Sequence, residues 1–269
     1  MKETPKVGFD PYVEIANIIN WIKDYFLDSN GAKAIIGISG GKDSTIAAAL
    51  LVRALGPDRV VGVMMPQDNQ SDLNHSKFVC NTLGIPHLTI DIGPACSALY
   101  RAIDEGYDMD HCVEQQNKTV ATNTPARIRM ATLYAIAALY HGRVCNTGNR
   151  SELYVGYTTK YGDLAGDFAL LKAYTVREVL LIGHCLSEIP KWLIDKAPAD
   201  GMSGLTDEDN LGFTYAQVDD LILDGIIPDF NSYEKIQKAH KRNVHKDCIR
   251  LPYPWKAEEL RPLGERSKY

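Results

Sequence analysis

Apolar residues recur along this chain at two spacings, and the way those spacings alternate sets the expected fold. Val13, Ile15, Ile18, Ile19, Ile22, Tyr25 and Phe26 fall on one helical stripe, and Asn30-Gly31 supplies a stop, so the spacing predicts a helix over 11–30. Ala34-Ile35-Ile36-Gly37-Ile38-Ser39 is a short apolar run of the kind a strand buried on both faces shows. A glycine turn and a helix over about 44–55 follow. The same rhythm recurs downstream. Strands are predicted over 59–65, where Val60, Val61 and Val63 cluster, and over 87–92; helices are predicted over 74–83 and 94–103. A long apolar helix over 125–141 then leads into a buried strand over 142–146. Alternating strands and helices imply right-handed βαβ units and an α/β fold: a doubly wound, mainly parallel sheet flanked by helices. Ligands in such sheets sit at the carboxyl ends of the strands, so the loops 39–44, 65–72 and 146–152 are expected to converge.

Beyond Asp163 the strand signals stop. Helices are predicted over 175–187, 191–195, 215–223 and 232–246, and the Gly-, Asp- and Ser-rich stretch 198–212 reads as a surface loop. The expected organisation is one domain over 1–269, with a sheet core at about 31–163 and a helical C-terminal part at about 164–269.

Composition narrows the class without changing this outline. Hydrophobic residues make up 45% and charged residues 23% of 269 residues, an ordinary balance for a chain with a core. The net charge of −5 and pI near 5.8 argue against a nucleic-acid partner held mainly by phosphate neutralisation. No window offers the run of about 20 apolar residues that a membrane helix needs. The polar first ten residues do not read as a signal peptide. Cys80, Cys96, Cys112, Cys145, Cys185 and Cys248 show no CxxC pairing or zinc-like spacing, so reduced thiols and a cytoplasmic location are expected.

The chemistry concentrates first in Gly37-Ile38-Ser39-Gly40-Gly41-Lys42-Asp43-Ser44, between a buried strand and a helix start. Paired glycines let the backbone approach a ligand closely. The serine hydroxyls and the unpaired N–H groups of the helix then make an anion site. This is not the GxxxxGK[ST] phosphate loop, because Asp43 follows Lys42. A carboxylate facing phosphates repels them unless a divalent cation intervenes, so Asp43 reads as a Mg²⁺ ligand; the alternative is a helix-capping aspartate. The SGGKDS run resembles the loop of the ATP pyrophosphatases, which cleave ATP between its α and β phosphates. The loop alone does not choose among the members of that superfamily.

The choice comes from Thr147-Gly148-Asn149-Arg150-Ser151-Glu152 and Gly156-Tyr157-Thr158-Thr159-Lys160-Tyr161-Gly162-Asp163, which resemble the TGNxSE…GYxTKYGD signature of ammonia-dependent NAD synthetases. Ala126-Arg127-Ile128-Arg129-Met130 resembles that family's ARxRM helix, and His245-Lys246 with Pro252 resembles its closing HKxxxxxP. The resemblance implies ATP- and ammonia-dependent amidation of deamido-NAD through an adenylated intermediate, with ATP as co-substrate and Mg²⁺ as cofactor. It implies that Asp43 and Glu152 hold the metal. Lys42, Asp43 and Glu152 form the catalytic set, and Gly37, Ile38, Ser39, Gly40, Gly41, Lys42, Asp43, Ser44 and Thr147 bind ATP. Arg127, Lys160, Asp167, His245 and Lys246 bind deamido-NAD. It also implies a homodimer, no nucleic-acid partner and no membrane. No glutaminase domain is expected, so ammonia comes free or from a separate donor.

The sequence departs from the family at two positions. Val176 stands where a lysine commonly helps to bind ATP, which leaves Arg177 or Lys172 to supply the charge. Ala199 stands in place of a Ser or Thr. The remaining histidines, His75 among them, show no metal-ligand spacing and read as structural. Two other readings exist. A tRNA-modifying ATP pyrophosphatase would carry a basic surface or paired cysteines. A non-catalytic adenine-nucleotide-binding module could dispense with Glu152 and the Lys160 segment.

Overall fold

The computed structural model describes residues 8–67, 73–106, 117–196 and 206–246. The chain opens with helix α1 (Pro11–Leu27), which begins where the Asp10 carboxylate accepts the N–H groups of Tyr12 and Val13 and where proline occupies the first turn. Its stripe Ile15, Ile18, Ile22 and Phe26 is buried. Strands β1 (Ala34–Gly37), β2 (Val60–Met64), β3 (His87–Thr89), β4 (Arg143–Asn146) and β5 (Phe168–Ala169) form one parallel sheet in the order β3-β2-β1-β4-β5. The order reverses at β1, so the gap between the ends of β1 and β4 is the switch point where such sheets bind ligands.

Helices cover both faces, and β1 shows why. Ile36 joins a core with α1 and with α2 (Lys42–Leu55), contributed by Ile46 and Leu50. The adjacent Ile35 points the other way, to Ile136 and Ala137 of a long helix, α5 (Lys118–Leu139). Each such fully buried side chain contributes roughly 1.5–3 kcal/mol relative to exposure. Helices α3 (Leu73–Leu83) and α4 (Gly93–Gly106) complete the β2 and β3 crossovers. A smaller core of Val155, Phe213, Val218 and Ile236 joins α6 (Arg150–Val155) to α10 (Tyr215–Asp224) and α11 (Phe230–Asn243).

The structure corrects the sequence reading at four places. Strand signals do not end at Asp163: Phe168 and Ala169 pair with Cys145 and Asn146 to make β5, two residues too short to show a period. A helix, α6, lies at 150–155, set by a reciprocal cap in which the Asn149 side chain accepts the Glu152 N–H and the Glu152 carboxylate accepts the Asn149 N–H. Helix α5 starts at Lys118 under an Asn117 cap, and Pro125, read from sequence as the start, is buried inside it. Within the expected loop 198–212, Thr206 caps a helix, α9 (Asp207–Leu211), which Gly212 ends at φ +72°. Positions 198–205, including Ala199, lie outside the described residues. Among the described residues, the C-terminal part also holds helices α7 (Val176–His184) and α8 (Lys191–Ile194) and a 3₁₀ turn at Val244–Lys246.

Candidate functional site

At the end of β1 the chain turns sharply through Ser39, Gly40 and Gly41. Gly40 has φ +79°, and a Cβ there would lie 3.0 Å from His75 Cβ and 3.1 Å from Ser76 N at the start of α3, so only glycine fits. The turn is closed by its own hydroxyls: Ser39 Oγ accepts the Gly41 N–H (3.2 Å), and Ser44 Oγ accepts the Ser39 N–H (3.3 Å) and donates to Gly41 O (3.1 Å). Ile38 is anchored below by its N–H to Val63 O (3.0 Å). Gly41 caps α2 without a side chain, so the first-turn N–H groups face out of the loop with the positive end of the helix dipole. The predicted phosphate-loop residues 37–44 therefore form one continuous cradle.

Two residues inside that turn carry charge. Lys42 is 5% exposed and its Nζ donates to Asp43 Oδ2 at 2.8 Å. Burial alone would lower the Lys42 ammonium, but the charges of Asp43 and Glu152 outweigh it and hold it above its ordinary value. Across the switch point, Asn149 Nδ2 donates to Asp43 Oδ1 at 3.3 Å while the Asn149 N–H donates to Glu152 Oε2 at 3.0 Å. One buried asparagine thus touches both acids. The sequence reading quoted Asn149 without giving it a role; its place between the glycine and the acid in TGNRSE was the available signal.

Below Asn149 the end of β4 is fixed by Asn146, whose Nδ2 donates to Asp163 O (2.7 Å) and Ala165 O (3.0 Å) and whose Oδ1 accepts the Gly148 N–H (2.9 Å). Thr147 follows on the same edge, half-buried. Helix α6 is held from behind through Ser151, whose Oγ donates to Asp219 Oδ1 and accepts the Val176 N–H (3.0 Å). Asp219 Oδ2 accepts the Arg177 N–H at 2.7 Å.

The electrostatic balance of this edge is unfavourable as it stands. Burial, then the neighbouring Asp43 charge, push the Glu152 carboxyl up to about 8, and Lys42 offsets only part of it. The Tyr215 hydroxyl, on a residue 3% exposed, is buried beside the same carboxylates with no hydrogen-bond partner. Two carboxylates short of positive charge, with an unpaired hydroxyl nearby, suit a hard divalent cation held by few protein oxygens and completed by phosphate oxygens and water. Among the described residues no set of three or more His, Cys, Asp or Glu side chains is arranged as a self-contained metal cage.

On the β4–β5 side lies a cavity of about 240 Å³ lined by Tyr134, Lys160, Tyr161, Lys172, Lys246 and residues 164–166. Of the five predicted dinucleotide contacts, Lys160 and Lys246 line it, and Arg127 and His245 are hydrogen-bonded to Lys160. Lys160 Nζ donates to His245 O, Arg127 Nε donates to Lys160 O (3.2 Å), and Lys246 Nζ donates to Gly156 O (2.7 Å) and Thr158 O (2.6 Å). Burial lowers the Lys246 ammonium from its ordinary value. Asp167, the fifth, reaches the cavity indirectly: its Oδ1 accepts from Tyr134 (3.4 Å), which lines the wall, and its Oδ2 accepts the Val144 N–H (2.7 Å). The two proposed stand-ins for the family lysine at Val176 separate. The Arg177 guanidinium pairs with Asp220 and Asp224 of α10, away from the loop, whereas Lys172 faces the cavity.

The sequence model of the NAD synthase family matches residues 14–250. The NH(3)-dependent NAD(+) synthetase of Methanocaldococcus jannaschii is 36% identical over 213 residues, 78% of this chain and 80% of its own length. This chain belongs to the NAD synthase family. Among solved structures, the NMN synthetase from Francisella tularensis superposes with a TM-score of 0.81 at 34% identity, covering 92% of this chain and 100% of its own. NAD+ synthetase from Burkholderia pseudomallei gives 0.72 at 28% identity, covering 90% and 91%. NAD synthases are ligases that use ATP, and in this member the glycine-turn cradle, the paired acids and the lysine-lined cavity lie along one sheet edge.

Proposed function

We propose that this chain amidates the nicotinate carboxylate of deamido-NAD with ATP and ammonia, giving NAD, AMP and pyrophosphate. The observation that carries the reading is Asn149 joining Asp43 on the phosphate loop to Glu152 on α6, across the switch point between β1 and β4. A carboxylate oxygen of the acceptor attacks the α-phosphorus. The bond from that phosphorus to the α–β bridging oxygen breaks, and pyrophosphate leaves with the electron pair. Ammonia then attacks the acyl carbon, loses a proton, and AMP departs with the former carboxylate oxygen.

The chain's own residues bind, orient and neutralise. The first-turn N–H groups of α2, with Ser39, Ser44 and Thr147, hold the phosphates. Lys160, Lys246 and Arg127, with Asp167 and the 245–246 turn, frame the acceptor, and Lys42 holds the Asp43 carboxylate in place by its 2.8 Å hydrogen bond. Asp43 and Glu152 would hold Mg²⁺, which supplies positive charge against the repulsion of two anionic reactants. No side chain need act as nucleophile; positioning supplies much of the rate. A homodimer fits the same reading, supported by Leu99 (42% exposed) on α4 and Leu139 (75% exposed) on α5. The whole chain acting as one cytoplasmic synthetase unit is part of it.

A second reading differs only in the acceptor: the deamidated mononucleotide in place of the dinucleotide. It is favoured by the higher structural similarity to the Francisella NMN synthetase, 0.81 against 0.72 for the Burkholderia enzyme. Pyrophosphate release measured with ATP, Mg²⁺ and ammonium, adding deamido-NAD, the mononucleotide, tRNA or no acceptor, separates these readings. Release is expected only with a nicotinate acceptor, with the higher kcat/KM for deamido-NAD. A higher value for the mononucleotide moves the assignment to the second reading, and release without either acceptor removes both.

A further inference from the structure

Tyr215 opens α10 directly after its Thr214 cap, and its N–H donates to Glu208 Oε1 at 2.8 Å, which ties the start of α10 to α9. Further along α10, Val218 packs in the core that holds Val155 of α6, and Asp219 accepts from Ser151. Helix α10 is thereby fixed to the helix that presents Glu152. Tyr215 is 3% exposed, yet its hydroxyl has no hydrogen-bond partner among the described residues. Burial, then the charges of Glu152, Asp207 and Asp43, push that hydroxyl above its ordinary value, so it lies in the field of carboxylates carried by α6, α9 and α2. Apolar packing by itself is served by a phenylalanine, as the buried Phe213 two residues upstream shows. An orphaned hydroxyl at this depth calls for a bound partner.

We infer that Tyr215 is a positioning residue for the divalent cation, its hydroxyl accepting a hydrogen bond from a water in the cation's shell. The inference rests on the proposed cation role of Asp43 and Glu152 and adds a third element, α10, to their site. Asp207, 8% exposed at the first position of α9, brings a further negative charge to bear on Lys42, but it closes no three-acid cage with the other two among the described residues. A small cation held by one or two carboxylates keeps several waters. Water on a cation is a strong donor and needs acceptors around it. A neutral phenol oxygen supplies one without adding charge to an edge already rich in carboxylates. Outer contacts of this kind orient a metal's ligands and set its affinity. The unpaired hydroxyl is thus a cost in the metal-free chain that cation binding offsets.

Binding of Mn²⁺ alone to the full chain, read from the loss of its free-ion electron paramagnetic resonance signal, tests this beside thermal unfolding of the metal-free chain. Tyr215→Phe keeps the ring and removes the orphan. It is expected to weaken Mn²⁺ binding about tenfold, the lower end for an outer-shell partner. The metal-free variant should unfold at an unchanged or higher temperature, because it no longer buries an unpaired polar group. Unchanged Mn²⁺ affinity in Tyr215→Phe overturns the inference. Weaker affinity together with a lower metal-free unfolding temperature also overturns it, since a purely structural hydroxyl would give that pair of results. Asp43→Asn and Glu152→Gln report on the acids themselves, and each should weaken Mn²⁺ binding more than Tyr215→Phe does. No Mn²⁺ binding, or binding indifferent to both acid variants, removes the cation role of those acids and the inference with it. An effect of the acids without one of Tyr215 overturns the inference and leaves the proposed reaction standing.

Discussion

Asn149 shows how much a single side chain decides at this sheet edge. Its backbone N–H and its amide engage the two acids on different helices, Asp43 on α2 and Glu152 on α6, through one residue that is 1% exposed. If those acids act on the phosphates, as proposed, removing either charge acts on chemistry more than on folding. Asp43→Asn and Glu152→Gln are each expected to lower kcat by at least about a hundredfold, the scale for losing one element of charge stabilisation. Their circular dichroism and urea midpoints should stay close to those of the unmodified chain. Turnover at the unmodified rate in either variant contradicts the assignment. The sequence made these two acids legible because each sits in a run of unusual composition beside glycines. It did not make Asn149, Asn146 or Asp219 legible as parts of the site, because their roles are hydrogen bonds to residues distant in sequence.

At the scale of elements, the helix α6 that presents Glu152 has only six residues and is too short to be stable from propensity alone. Its cap and the Ser151–Asp219 link hold it to α7 and α10. Burial pushes the Asp219 carboxyl up to about 6. In the unfolded chain that carboxyl titrates near about 4. The folded protein therefore binds this proton more tightly, and the stability it contributes is complete below about pH 4 and lost as pH rises through 6. Subtracting the unfolding free energy of Asp219→Asn from that of the unmodified chain should give a difference that falls by roughly 2 kcal/mol between pH 4 and pH 7. A difference flat across that range would show that Asp219 titrates normally. Element length also explains what the sequence hid. The strands over 34–37 and 60–64 and the stripe of α1 were readable from periodicity, whereas two-residue β5 and five-residue α9 contain too few positions to show a period. Pro125 misled for another reason: proline usually marks a helix start, and here it lies inside α5.

For the whole molecule, the doubly wound order β3-β2-β1-β4-β5 puts the glycine-turn cradle at the central strand and the lysine-lined cavity at the β4–β5 edge. On the proposed reaction, that order brings the acceptor from the β4–β5 side to phosphates held at the central strand. The topology was legible from the alternation of apolar runs and helical stripes; the converging lysines were legible only as separate motifs, since nothing in the spacing of Lys160 and Lys246 says that both face one cavity. The central claim is that an acceptor carboxylate oxygen attacks the α-phosphorus of ATP at this edge. Turnover with acceptor labelled with ¹⁸O in its nicotinate carboxyl, followed by mass spectrometry of the products, tests it directly. The account predicts one ¹⁸O in AMP and none in pyrophosphate; unlabelled AMP, or label in the pyrophosphate, would contradict it.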